Sequence, residues 1–165
     1  MSTYVVGDIH GCIRELRMLF ELIKFNPYYD KAIIVGDILG RTYENATEII
    51  TFIRSYKNSV CVLLGNHEVK FLESFYKNTT DVVLKHFCSS NKDISPQTYA
   101  EWISQFSLFY VDHSLKTLVV HAGVSPQWHD YEALHQAMYF NHHKNVWGMK
   151  RLMSILSECP VLYWN

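Results

Sequence analysis

A chain of 165 residues, 48% hydrophobic and 19% charged, is long enough to bury about 70% of its unfolded surface as one domain, and no stretch of it is low in complexity. The formal net charge of −1, with Lys and Arg scattered, argues against the basic stripe that polymeric nucleic acid requires. No window reaches the ~20 apolar residues of a membrane span, the N-terminus lacks a basic segment, and Cys12, Cys61, Cys88 and Cys159 show no CxxC spacing, so a reducing, cytoplasmic setting without membrane contact is expected.

Thr3 to Val6 is a β-branched and aromatic run that predicts a strand. Cys12 to Phe25 places Leu16, Leu19, Phe20, Leu22 and Ile23 at helical spacing. Lys31 to Val35 (KAIIV) and Asn45 to Tyr56, with Ile49, Ile50, Phe52 and Ile53 on one side, repeat the unit. Val60 to Leu64 (VCVLL) and Glu68 to Tyr76, striped by Val69, Phe71, Leu72 and Phe75, repeat it again. Strands alternating with helices imply βαβ crossovers and a largely parallel sheet. From Thr79 to Phe109 the pattern turns helical, with Ser95-Pro96 as a helix start, and reads as a helical insert over about 79–110. Leu115 to Val120 is the fourth predicted strand, and Tyr131 to Tyr139 and Val146 to Leu156 are predicted helices. The apolar run PVLYWN closes the chain, and an end of that kind hints at a domain cut short.

Four polar clusters follow the four predicted strands: Gly7-Asp8-Ile9-His10-Gly11, Gly36-Asp37-Ile38-Leu39-Gly40-Arg41, Gly65-Asn66-His67-Glu68 and His121-Ala122-Gly123. In open α/β sheets ligands bind at the carboxyl ends of strands, so these loops are expected to converge. Asp8, His10, Asp37, Asn66 and His121 offer carboxylate, imidazole and amide oxygen without thiolate, which suits divalent manganese, iron or zinc. A pair of ions about 3.5–4 Å apart sharing one carboxylate fits better than a single ion, with Asp37 as the bridge. Arg41 can grip a phosphate, and His67 is placed as a general acid. Each residue also has a plainer reading: Asp8 and Asp37 as helix caps, Asn66 as a turn residue, His67 as a surface histidine, His121 as a core histidine, Arg41 as a solvated charge. Their joint placement at strand ends favours a site.

The set GDIHG, GDILGR, GNHE and HAG resembles the calcineurin-like metallophosphoesterase superfamily, in the branch of the Ser/Thr protein phosphatases and the symmetrical diadenosine tetraphosphatases. Gly40-Arg41 and the run HAGVSPQW, His121 to Trp128, look like the dinucleotide hydrolase version. The resemblance implies an α/β fold, a β-sandwich core flanked by helices, in a single domain over 1–165 that is incomplete at the C-terminus. It implies two divalent ions of the Mn, Fe, Zn or Co type, with Asp8, His10 and Asp37 on the first and Asp37, Asn66 and His121 on the second. It further implies hydrolysis of diadenosine tetraphosphate to two ADP by metal-bound hydroxide, with His67 and Arg41 catalytic beside Asp37 and a small dinucleotide as the partner. Members run on for roughly a hundred residues more, on domain-size expectations, and that part supplies another histidine and a phosphate-binding arginine. His129, His135 and His142-His143 read as solvated surface rather than as substitutes. Two alternatives stay open: a phosphoprotein or phosphomonoester phosphatase, and a truncated, inactive fragment.

Overall fold

Three βα repeats open the chain: strand β1 (Thr3–Val6) and helix α1 (Ile13–Leu22), β2 (Lys31–Ile34) and α2 (Ala46–Ser55), β3 (Val60–Val62) and α3 (Asn66–Tyr76). The computed structural model describes residues 2–77, 82–124, 127–129, 131–142, 148 and 150. The three strands form a parallel sheet in the order β1-β2-β3, with Thr3 opposite Lys31 and Ala32 opposite Val60. Central β2 is covered on both faces, which is why Ala32, Ile33 and Ile34 carry no polar alternation and are fully buried. The helices bury the stripes that their spacing predicts: Leu16 and Phe20 from α1, Ile49, Ile50 and Ile53 from α2, Phe71 and Leu72 from α3. Among the described residues no helix is long and apolar enough to cross a membrane.

Helices α4 (Val82–Ser90) and α5 (Pro96–Ile103) pack on α3. Ser95 caps α5 by accepting the Thr98 N–H at 3.1 Å, with Pro96 in the first turn. The helical stretch stops at Ile103, short of the expected 109 to 110. Phe106, Leu108 and Phe109 are buried, but Phe109 opens strand β4 (Phe109–Asp112); a short apolar run has no periodicity that separates helix from strand. The fourth predicted strand forms, two residues shorter than expected. As β5 (Thr117–Val120) it pairs antiparallel with β4 in a separate two-stranded sheet. The turn between them rests on Asp112, whose carboxylate accepts from the backbone of Ser114 and Leu115, while Lys116 takes φ +51°.

The hairpin lies against the first sheet through Val119, Ile33 and Leu63, with Tyr110, Val35 and Cys61 around them. The Leu64 N–H donates to the Ser107 carbonyl at 2.8 Å, and Lys31 Nζ donates to the Tyr110 hydroxyl at 3.1 Å. Residues 131–142 form a further helix, longer than the predicted 131–139. The predicted helix over 146–156, the PVLYWN end, His143, Cys159, the Ser125-Pro126 pair and the Thr79 start of the insert lie outside the described residues. Among the described residues Cys12, Cys61 and Cys88 form no disulfide.

Candidate metal centre

All four motif loops meet at one end of the strands, and the backbone explains how. The Ile9 and His10 N–H groups donate to the Asp37 carbonyl at 3.2 and 2.8 Å, and Gly11 N–H donates to the Ile38 carbonyl at 2.9 Å. The first loop is thereby zipped to the second. Gly36, at φ +114°, lies so close to Gly65 that a Cβ on it would stand 2.5 Å from the Gly65 nitrogen. A Cβ on Gly65 would fall on the Asp37 amide and carboxylate. These two glycines are what lets the second and third loops touch. His10 and Asp37 sit at φ +47° and +48°, a region few non-glycine residues adopt, and such strain persists only where surroundings impose it. Neither Asp8 nor Asp37 caps a helix: the N-cap residues of α1 and α2 are Cys12 and Asn45.

Asp37 is the buried hub, 3% exposed. One of its oxygens accepts the His67 N–H, in the first turn of α3, at 2.9 Å. His121 Nδ1 is 2.9 Å from the Val35 carbonyl, which can only accept. In the neutral ring the proton therefore sits on Nδ1, and the Nε2 lone pair faces inward, 3.7 Å from Asp37 and 3.2 Å from the Asn66 amide. The Asn66 amide atom facing Asp37 lies 2.7 and 3.1 Å from its two oxygens. Placed as oxygen, that atom meets only acceptors; placed as nitrogen, after a half turn, it donates to all three. An amide that can swing its oxygen inward, an imidazole lone pair and a carboxylate on one point are the donor set a divalent cation takes.

Asp8 and His10 close the other side. Asp8 Oδ2 is 3.5 Å from His10 Nε2, and its Oδ1 is 3.7 Å from His121 Nδ1. His10, Asp37 and His67 present ligand-type atoms within 4.8 Å of one another, a group that does not include Asp8. The rings of His10 and His67 meet edge to face at 5.2 Å, and His67 Nε2 is 3.9 Å from Asp37. Burial holds the His67 pKa below the ordinary histidine value; Asp37 pulls the other way, and His10 and Lys70 add to the depression. Arg41 is exposed on the turn after Gly40, and among the described residues its guanidinium pairs with none of these six side chains. His129, His135 and His142 are exposed.

Glu68 carries a task that its motif alone did not reveal. It is fully buried and accepts three backbone N–H groups, from Asp37 at 2.8 Å, Ile38 at 3.1 Å and Gly65 at 2.9 Å. Burial, with the Asp37 charge beside it, pushes its pKa up to about 7 despite those three donors. One carboxylate thus fixes the two loops that carry Asp37, Asn66 and His67. A Glu three residues past the Gly65 N-cap, where a capping carboxylate reaches back to the helix start, was the available signal.

Residues 1–162 match the family model described as calcineurin-like phosphoesterase. Curated relatives include the symmetrical bis(5'-nucleosyl)-tetraphosphatases of Erwinia tasmaniensis, 34% identical over 78% of this chain and 46% of that protein, and of Buchnera aphidicola subsp. Baizongia pistaciae, 32% identical over 98% of this chain and 61% of that protein. The chain thus spans about half the length of the first of these relatives. A crystal structure described as that of a candidate diadenosine tetraphosphatase superposes with a TM-score of 0.62 at 24% identity, covering 77% of this chain and 52% of that one, which supports the fold. With the family model spanning nearly every residue and its loops meeting around Asp37, the chain belongs to the calcineurin-like phosphoesterase family.

Proposed function

We propose that Asp8, His10 and Asp37 hold one divalent ion and Asp37, Asn66 and His121 a second, in a centre that hydrolyses diadenosine tetraphosphate to two ADP. The observation that carries this reading is the convergence on Asp37, where the His121 Nε2 lone pair and the Asn66 amide crowd one carboxylate. When bound, ions of the manganese, iron, zinc or cobalt type supply Lewis acidity, an activated water and a clamp on the phosphoryl oxygens. The chain's own residues do the rest. Asp37 orients the centre and anchors the first turn of α3. His67 transfers a proton to the leaving phosphate oxygen; its neutral ring is favoured at rest, so it takes up a proton before giving one. Arg41, exposed and unattached to the cluster, turns in to hold a phosphate through two parallel N–H bonds.

Water adds at a phosphorus beside the central bridging oxygen, that P–O bond breaks, and each product leaves with two phosphates. The names of the relatives support the dinucleotide, and Gly40 before Arg41 supports it over a phosphoprotein. We read residues 1–165 as one domain with a helical insert, acting in the cytoplasm on a small molecule. The test is elemental analysis of the purified chain together with nucleotide release from diadenosine tetraphosphate in manganese. Two ions per chain with ADP as product supports the reading. AMP with ATP, hydrolysis of an aryl phosphate but not of the dinucleotide, or no turnover would sink it.

A further inference from the structure

The helical insert reaches the turn that carries Arg41 through the Phe87 ring and through the polar side chain of Asn91. Asn91, directly after α4, donates Nδ2 to the Tyr43 carbonyl at 2.6 Å and to the Phe87 carbonyl at 3.1 Å, while its Oδ1 accepts the Ala46 N–H at 3.3 Å. Ala46 opens α2, whose own N-cap residue, Asn45, sits at φ +64° and caps nothing. The Asn45 side chain points the other way, with Nδ2 donating to the Gly11 carbonyl at 2.9 Å. An orphan N–H at the start of α2 is therefore satisfied from the insert and not locally. Tyr43, at φ +56°, is buried with its ring against Phe71 and Phe87. Two left-handed non-glycine residues in one turn keep that geometry only while neighbours impose it. Gly40, at the head of the same turn, lies where a Cβ would stand 3.0 Å from the His10 carbonyl oxygen. The turn is thus held from the first motif loop at one side and from the insert at the other.

We infer that Asn91 is a positioning residue: from the helical insert it sets the Gly40–Asn45 turn and, with it, the direction from which Arg41 enters the site. The inference rests on the reading of Arg41 as the phosphate grip. A purely structural role for Asn91, as a cap for α2, has a different signature. Asn91→Asp keeps the acceptor for Ala46 and adds a negative charge at a helix N-terminus, yet loses the donor to Tyr43. If only the cap matters, that variant behaves as wild type.

The experiment compares Asn91→Ala and Asn91→Asp, each alone and with Arg41→Ala, in manganese. Both single variants are expected to raise KM for diadenosine tetraphosphate about tenfold with kcat changed less than about twofold and metal content unaltered. In the Arg41→Ala background the added effect shrinks to less than about twofold, because the two substitutions act on one interaction. Amide hydrogen exchange over residues 41–46 is expected to quicken about tenfold in Asn91→Ala, with β1 and β2 unchanged. An equal KM penalty with and without Arg41, a wild-type KM in Asn91→Asp, or unaltered exchange over 41–46 overturns the inference. Should the wild-type chain release no ADP, the hydrolase reading fails by itself and the exchange measurement alone decides whether Asn91 sets the turn.

Discussion

The two sides of the candidate centre are built differently. Asp37 and His121 have side chains only 5% and 8% exposed and are braced by the α3 backbone, the Val35 carbonyl and the Glu68 scaffold. Asp8 and His10 have side chains 41% and 46% exposed and hold chiefly to one another. Counting ligands makes these sides equal, since each draws on three residues. The structure shows that one is preorganised by the fold and the other stands open to solvent, so substitutions that remove a bracing hydrogen bond from the first should damage folding and chemistry together, while those on the second should damage chemistry alone.

The largest expected effect tests the hub that both sides share. Asp37→Asn keeps an oxygen for the His67 N–H, so thermal unfolding should move little, but turnover should fall by roughly three orders of magnitude as several kcal/mol of charge stabilisation disappears. Intact turnover in Asp37→Asn would remove Asp37 from the centre. Glu68→Gln comes next. It sets an amide N–H₂ against backbone donors that now find a carboxylate, so stability should drop by about 1–3 kcal/mol in urea unfolding and ion affinity by about ten- to a hundredfold. Equal midpoints for variant and wild type would show that the scaffold does not depend on that charge.

The sharpest comparison pairs one residue from each side in the absence of added metal. His121→Ala leaves the Val35 carbonyl without its partner in a partly buried place and should cost about 1–3 kcal/mol, whereas exposed His10→Ala should stay within about 0.5 kcal/mol. Equal losses would erase the distinction between the two sides. The smallest effect lies far from the site. Asp30 accepts backbone N–H groups from Asn26 and Ser2, which hold its pKa below the usual carboxylate value. A depressed folded-state pKa means that the contribution is intact above the unfolded value and is lost as pH falls through the folded one. Asp30→Asn should therefore flatten the acid limb of thermal stability slightly and leave turnover untouched.

Much of this was legible in the chain. The three βα repeats announced themselves through period, because each helix buries one stripe and β2 is apolar on both faces. Asp8, His10, Asp37, Asn66, His67 and His121 all stand out as candidates from their positions after apolar runs, and the structure brings these candidates to one place. What stayed hidden depends on tertiary contacts. Strand β4 reads like the end of a helix until its partner β5 is known, and the hairpin's seat on Ile33 and Leu63 has no local trace. Glu68 and Asn91 each bond backbone groups far away in sequence, so neither betrays its partners. Arg41 was readable as a candidate, but its exposure on the turn after Gly40 was not.

Glu68 also bears on how the chain acquires its centre during synthesis. Its carboxylate joins amides 31 and 30 positions earlier, on the far side of an entire βα repeat. A nascent chain that has emerged only through Ile38 already displays Asp8, His10 and Asp37 and the amides of Ile9 and His10 that meet the Asp37 carbonyl, yet the carboxylate that holds the Asp37 and Ile38 amides arrives only with α3. The bracing of Asp37 is therefore completed in one late step, when α3 brings both the Glu68 carboxylate and the His67 amide to it.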